Sequence, residues 1–191
     1  HIGSIIGSAN SGTGWPENTR NVNINGIIIV SESITRLDTN AFSSLHNLTG
    51  VVLPSSLKTI ENNAFYGVQN MHLNSILIKD GNTSFKTVNG ILYNANMTTL
   101  IKYPVTKTAT SFAVPSSVKI IDSSAFAANS YIRNVTLPTG ITDIRNSAFD
   151  VSGLQRINLP NTLKTIGAYA FCNCPNITSI TFIPTFKLIS F

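Results

Sequence analysis

The sequence predicts a β-rich solenoid. One short motif recurs at a near-constant period, each copy holds two short strand patterns, and proline or small polar turns separate them. The motif is clearest at Leu159-Pro160 through Ala170-Phe171, and it returns at Leu53-Pro54 to Ala64-Phe65, Val114-Pro115 to Ala125-Phe126 and Leu137-Pro138 to Ala148-Phe149. A further copy, Val30-Ser31 to Ala41-Phe42, has serine in place of proline. Successive phenylalanines at 42, 65, 126, 149 and 171 stand 23, 61, 23 and 22 residues apart, and the long interval is one period plus 38 inserted residues. Units that bury their apolar side only against neighbouring units stack into one elongated domain.

Residues 1–26 are rich in Gly, Ser and Asn and read as an irregular N-terminal segment or cap. The repeats fill 27–191, opening with a strand that ends in Ile27-Ile28-Ile29-Val30. In each repeat a first strand precedes the proline: Leu48 to Leu53, Ile132 to Leu137, Leu154 to Leu159 and Ile177 to Phe182. Its apolar-x-x-apolar-x-apolar spacing turns three side chains inward and the others outward. Proline cannot donate to a ladder, so it ends the strand. A second strand follows at Ser33–Leu37, Leu57–Ile60, Val118–Ile121, Ile141–Ile144 and Leu163–Ile166, then a polar turn and Ala-Phe. The Ala is small where coils approach closely, and the Phe is a core plug stacking on the Phe of the next coil. Phe65→Ala or Phe149→Ala is expected to cost about 3–5 kcal/mol.

The insertion, about 79–113, reads as a hairpin protruding from one coil. Its two runs, Phe85 to Asn94 and Thr99 to Pro104, flank a turn at Ala95-Asn96-Met97-Thr98. At the other end, Ile183 to Phe191 begins a sixth copy with Phe186 and Ile189 at the Leu and Ile sites.

The string Leu-x-x-Ile-x-Leu-Pro-x-x-Leu-x-x-Ile-x-x-x-Ala-Phe, with Cys174 three residues after Phe171, resembles the 23-residue leucine-rich repeat of BspA-like surface proteins. Four copies hold Pro and Phe at a fixed separation of eleven, and the hairpin resembles an element of the same family. Val68 and Asn129 stand where the family often has Cys. The resemblance implies a β-rich leucine-rich-repeat solenoid, right-handed, of about five coils with short parallel strands. It also implies a surface-exposed or secreted binding module that adheres to host or matrix proteins or glycans. The alternative is a structural spacer carrying another domain missing from this chain.

Two outward-facing files are the candidate contact surfaces. In leucine-rich repeats generally the first strands form the ligand-facing sheet, which points to Gly50, Val52, Asn134, Thr136, Arg156, Asn158, Ser179 and Thr181. Their small, polar character suits a broad wet contact better than a deep pocket. On the second strands, stacking aligns Thr35, Lys58, Lys119, Thr142, Lys164 and Lys187 at about 4.8 Å per coil, and the protruding hairpin need not interrupt them. Such a basic ladder suits an extended polyanion such as a sulfated or sialylated glycan, or simply keeps exposed strands soluble.

Other chemistry finds little footing. Thirteen Lys and Arg against eight Asp and Glu leave a net charge of +5, but the basic residues are dispersed, so no nucleic-acid partner is expected. His1, His46 and His72 share no metal-ligand spacing, and the carboxylates form no sequence-close pair, so no enzyme, cofactor or metal is expected. Gly7 to Thr13 has phosphate-loop glycines but Thr13 where lysine is required. Two cysteines, Cys172 and Cys174, are too few for a disulfide framework or a zinc site. No apolar run is long enough to span a bilayer. The first residues lack the basic start and long apolar centre of a signal peptide, so the chain reads as a mature or trimmed piece. Acceptor sequences for N-glycosylation begin at Asn47, Asn82, Asn96, Asn134 and Asn176. The expected partners are proteins or glycans of matrix or host surfaces, met by a monomer.

Overall fold

The computed structural model describes residues 3–4, 26–42, 48–66 and 72–182. His1, His46, Asn47, Val68, Lys187 and the start of the sixth copy lie outside the described residues. In chain order the strands are β1 (Gly3–Ser4), β2 (Gly26–Ile29), β3 (Arg36–Leu37), β4 (Leu48–Leu53), β5 (Thr59–Ile60) and β6 (Ser75–Ile78). A meander follows, β7 (Phe85–Val88), β8 (Ile91–Asn94) and β9 (Thr99–Lys102). The chain continues with β10 (Ser111–Ala113), β11 (Ile120–Ile121), β12 (Asn134–Thr136), β13 (Asp143–Ile144), β14 (Arg156–Leu159), β15 (Thr165–Ile166) and β16 (Ser179–Phe182). Among the described residues there is no helix.

First strands pair in parallel as β1-β2-β4-β6 and, separately, as β10-β12-β14-β16. Second strands pair as β3-β5 and as β15-β13-β11-β9, to which β8 and β7 add in antiparallel fashion. The inward positions coincide from coil to coil. Val51 stands between Ile28 and Ile76, and Val135 between Phe112 and Ile157. After each proline the chain turns, the carbonyls of Pro54, Pro115, Pro138 and Pro160 accepting from the amides of Leu57, Val118, Ile141 and Leu163. Two residues before each plug, Asn40, Asn63, Ser124, Ser147 and Tyr169 adopt positive φ, which lets a four-residue turn close between second strand and Phe. The phenylalanines stack as expected: Phe42 on Phe65 at 5.0 Å, Phe126 on Phe149 at 4.9 Å and Phe149 on Phe171 at 5.3 Å between ring centroids. The alanines that precede them are buried.

The solenoid has about six turns rather than five. The first strand β6, the second strand β9 and Tyr103 make a complete additional coil carrying a meander, and β10 opens the Val114-Pro115 copy that follows it. Tyr103 takes the place of the plug in that coil, stacked on Phe126 at 5.0 Å, with its amide donating to Ala125 O. The run Phe85 to Asn94, expected as one strand, is folded at Asn89-Gly90, where both residues have positive φ. Gly90 is also close-packed, since a Cβ there would stand 2.8 Å from Ser75 Oγ.

The meander does not protrude. Its side chains alternate between two cores: Leu92 and Ile101 join the cluster of Phe42, Leu53 and Phe65, whereas Ile91, Tyr93 and Leu100 join that of Phe126, Ile144 and Phe149. A strand with period-2 alternation and apolar residues on both faces must be covered on both, and β8 and β9 are placed where that happens. In the last described coil Ile166, Ile180 and Phe182 are exposed, although their register partners Ile144, Ile157 and Leu159 are buried.

Candidate functional site

The outward positions of the first strands fall on two different sheets, which corrects the single column read from the sequence. Because β6 and β10 form no ladder, Gly50 and Val52 are separated from the polar positions downstream. Val52 lies between Ile29 and Leu77, and Gly50 lies under Ile27, whose Cγ1 would be 3.2 Å from an added Cβ. That face is apolar, with Ile27 and Leu77 exposed. Gly50 and Val52 therefore share no sheet with the polar residues singled out downstream.

Six of those residues do come together. On the second sheet one file runs Ser111, Asn134, Arg156, Ser179, and the neighbouring file runs Ala113, Thr136, Asn158, Thr181. The alternation of these strands buries Val135, Ile157 and Leu159, so the polar residues between them face out. Asn134, Thr136, Arg156, Asn158 and Ser179 line a surface depression of about 280 Å³. The Thr181 hydroxyl donates to Asn158 Oδ1 at 2.5 Å. The Arg156 guanidinium makes no hydrogen bond or ion pair among the described residues, although its backbone amide donates to Arg133 O. The other described arginines are committed: Arg36 to Asp38 and Glu61, Arg145 to Asp122, and Arg133 to the carbonyls of Ser130, Ile132 and Gly153.

The lysine file is interrupted, a second correction. Lys58 N donates to Thr35 O in one short sheet, whereas Lys119, Thr142 and Lys164 continue a file that starts at Thr98. The cause is β9, which enters the second-strand ladder as a rung and makes none with β5. Lys58, Lys119 and Lys164 are all exposed, but acidic groups sit among them. Asp143 accepts from Thr142 and Thr165, and these bonds, first that of Thr165, hold its carboxyl below the usual range. Glu32 takes Lys79 Nζ at 2.8 Å and bonds to Ser55 and Ser56, which together pull its carboxyl down to about 2.

Sequence reasoning passed over Ser111 and Ala113, which begin the polar files, and Lys102, which occupies the alanine position of the inserted coil. The signal for the first two was present, since the other repeat prolines, Pro54, Pro138 and Pro160, are each preceded by a strand and Val114-Pro115 follows directly. For metal and membrane chemistry, the described residues hold no group of three or more His, Cys, Asp or Glu placed to bind an ion, and no helix long and apolar enough to cross a membrane. Cys172 and Cys174 are free thiols, and Cys174 Sγ donates to Phe149 O at 3.0 Å.

Comparison with known families decides the kinship. A profile described as "BspA type Leucine rich repeat region" matches residues 19–103 and 102–191 with six copies. The chain belongs to the BspA-type leucine-rich repeat family. As a BspA-type chain it shares its fold with several solved structures. A leucine-rich repeat protein from Eubacterium ventriosum superposes with a TM-score of 0.70 over 96% of this chain and 66% of its own, at 20% identity. The pneumococcal vaccine antigen PcpA gives 0.62 over 82% and 42%, at 26% identity. A leucine rich cell surface protein from Faecalibacterium prausnitzii gives 0.54 over 85% and 61%, at 18% identity. This BspA-type chain thus spans less than two-thirds of the length of each. No curated protein sequence matches it.

Proposed function

We propose that this BspA-type chain is a surface-exposed or secreted binding module, adhering to host or matrix proteins or glycans through the outward face of β12, β14 and β16. The observation that carries this reading is the depression lined by Asn134, Thr136, Arg156, Asn158 and Ser179. Interior strands of a ladder have their backbone groups paired, so only side chains are offered there, and here they are amides, hydroxyls and one guanidinium. Such a set makes many weak contacts, and their sum over a rigid array gives useful avidity. Lys119 and Lys164 add a positive bias elsewhere on the same coils, which steers anionic partners at low salt.

The test is solid-phase binding to fibronectin, fibrinogen and heparin, with Asn134→Trp filling the depression. Binding reduced at least about tenfold by this exposed substitution supports the reading, that being the loss of roughly 1.4 kcal/mol of contact. Binding of wild type that stays at background for every partner removes adhesion and leaves the spacer. The spacer, carrying another domain, draws its support from the chain's partial coverage of its longer structural relatives.

A further inference from the structure

We infer that the depression on β12 and β14 is a site for a carboxylated saccharide, a sialic or uronic acid, with Arg156 gripping the carboxylate. The inference rests on the reading of this face as the binding surface and names its ligand class. Its first support is the uncommitted guanidinium. The other described arginines are fixed by carboxylates or carbonyls, and Arg156 alone of them is left with its planar fork of donors turned to solvent. A guanidinium presents two parallel N–H groups to a carboxylate, a geometry that lysine lacks.

The second support is the company Arg156 keeps. Asn134 and Ser179 are its register partners on either side, each about one strand spacing, ~4.8 Å, away. Asn158 lies two residues along the same strand, roughly 6.6 Å off on the same face. Because Asn158 Oδ1 already accepts from Thr181, its NH2 is the half left to donate outward. The opening therefore offers a fixed cation, an oriented amide donor, and hydroxyl and amide groups that serve either way. None of the four strands of this sheet carries Asp or Glu, so no carboxylate of the sheet itself repels an anion.

Neutral hydrogen-bonding groups around one cation match a sugar ring with an acid substituent. A peptide partner asks for other features, an unpaired strand edge or apolar and aromatic anchors in pockets. Here the interior strands β12 and β14 are paired on both sides, and the apolar residues that line the depression, Val135, Leu137 and Ile157, are buried beneath the outward Asn134, Thr136, Arg156 and Asn158 and form no anchoring pocket. The volume, about 280 Å³, lies just below the range of pockets for drug-sized ligands and suits a single sugar residue with its substituents.

The experiment titrates 15N-labelled protein with methyl α-sialoside and methyl β-glucuronide, each beside its uncharged methyl ester, while amide shifts of Asn134, Arg156, Asn158 and Ser179 are followed. The acid forms are expected to move these amides and to bind about ten to a hundredfold more tightly than the esters, as a charge-assisted pair implies. Whichever acid binds more tightly identifies the source. Arg156→Gln is expected to bring acid binding down to the ester level, Arg156→Lys to weaken it about tenfold, and Lys86→Gln, an exposed position on β7 in another sheet, to leave it unchanged. Equal binding of acid and ester, or full binding by Arg156→Gln, overturns the carboxylate assignment. Absence of shifts with every saccharide overturns the saccharide class. In that case, loss of fibronectin or fibrinogen binding in Asn134→Trp keeps the wider reading alive, and no such loss ends both.

Discussion

At the scale of single residues the most informative side chain is Lys102. In the inserted coil, Leu100 to Tyr103 spans two residues fewer than Ile121 to Phe126 in the next. The polar turn that elsewhere donates an amide to the following coil is therefore missing. Ser124 N donates to Asn146 O and Ser147 N to Ala168 O, but Ser124 O receives Lys102 Nζ, at 2.8 Å, with Ala127 O at 3.5 Å. The amine thus satisfies carbonyls a shortened backbone cannot reach. Enclosure has a cost: Lys102 is 1% exposed, and burial lowers its amine to about 7 from the ordinary 10.5. Between those values the unfolded chain holds a proton that the folded chain does not, so stability rises with pH. The slope approaches 1.4 kcal/mol per pH unit, roughly one proton's worth. Above the ordinary tyrosine range Tyr93 opposes it, because burial pushes that phenol up to about 12 and folding then retains a proton that the unfolded chain releases. Urea midpoints are expected to climb from pH 7 to about pH 9.5, and Lys102→Met should flatten that climb. A wild-type profile that is level over this range refutes the buried neutral amine.

At the scale of elements the aromatic stack links sequence period to energy. Phe149 is fully buried between Phe126 and Phe171, with both interplanar angles at 8°, whereas Phe171 is half-buried and, among the described residues, has a ring on one side. Phe149→Ala is expected to cost about 3–5 kcal/mol and Phe171→Ala roughly half as much, read from denaturation midpoints. Equal losses would show that the stack does not extend its burial from coil to coil. The period made this column legible, because an invariant Ala-Phe at fixed distance from Pro has few packing solutions other than a stack. Two of the eight outward positions of that sheet, Ser111 and Ala113, failed to be read because their strand follows the inserted coil, whose plug is Tyr103, preceded by Lys102 instead of Ala. The strand β6 was equally readable, since Leu73, Ile76 and Ile78 keep the apolar-x-x-apolar-x-apolar spacing, but Lys79 stands where proline marks the other strands. Asn89-Gly90 is a strong short hairpin signal, and the β-branched and apolar residues on both sides of it masked the fold-back. What no local pattern announces is that the meander has two buried faces. Alternation fixes which residues point together, but only the tertiary arrangement fixes whether the opposite side meets water or a second core.

At the scale of the molecule that meander divides the solenoid. Both ladders are interrupted at it, β6 from β10 and β5 from β9, and the two hydrophobic cores meet across β8 and β9. In an uninterrupted solenoid each coil stabilises its neighbours through the ladders, and unfolding spreads from end to end. Here the coupling passes through a few specific groups. Asn82 Nδ2 lies within 3.1 Å of Pro54 O, Ser55 O and Leu57 O, while its Oδ1 accepts from Ser84 N and Phe85 N at the entry to β7. The nitrogen to which a glycan would be joined in Asn82-Thr83-Ser84 is thus committed inside the fold. Further links are Ser124 with Asn63 at 3.0 Å and Ile76 N to Gly90 O at 3.0 Å. Removing the Asn82 amide takes this donor from Ser55 O and Leu57 O on the β4–β5 turn, while Pro54 O keeps the amide of Leu57, a loss of about 1–3 kcal/mol for a partly buried group. In native-state hydrogen exchange, Asn82→Ala is expected to speed the amides of residues 48–66 roughly ten to a hundredfold, with those of 132–166 unchanged. Matching acceleration on both sides of the meander would mean that the two cores open as one, and the partition would then be geometric without being energetic.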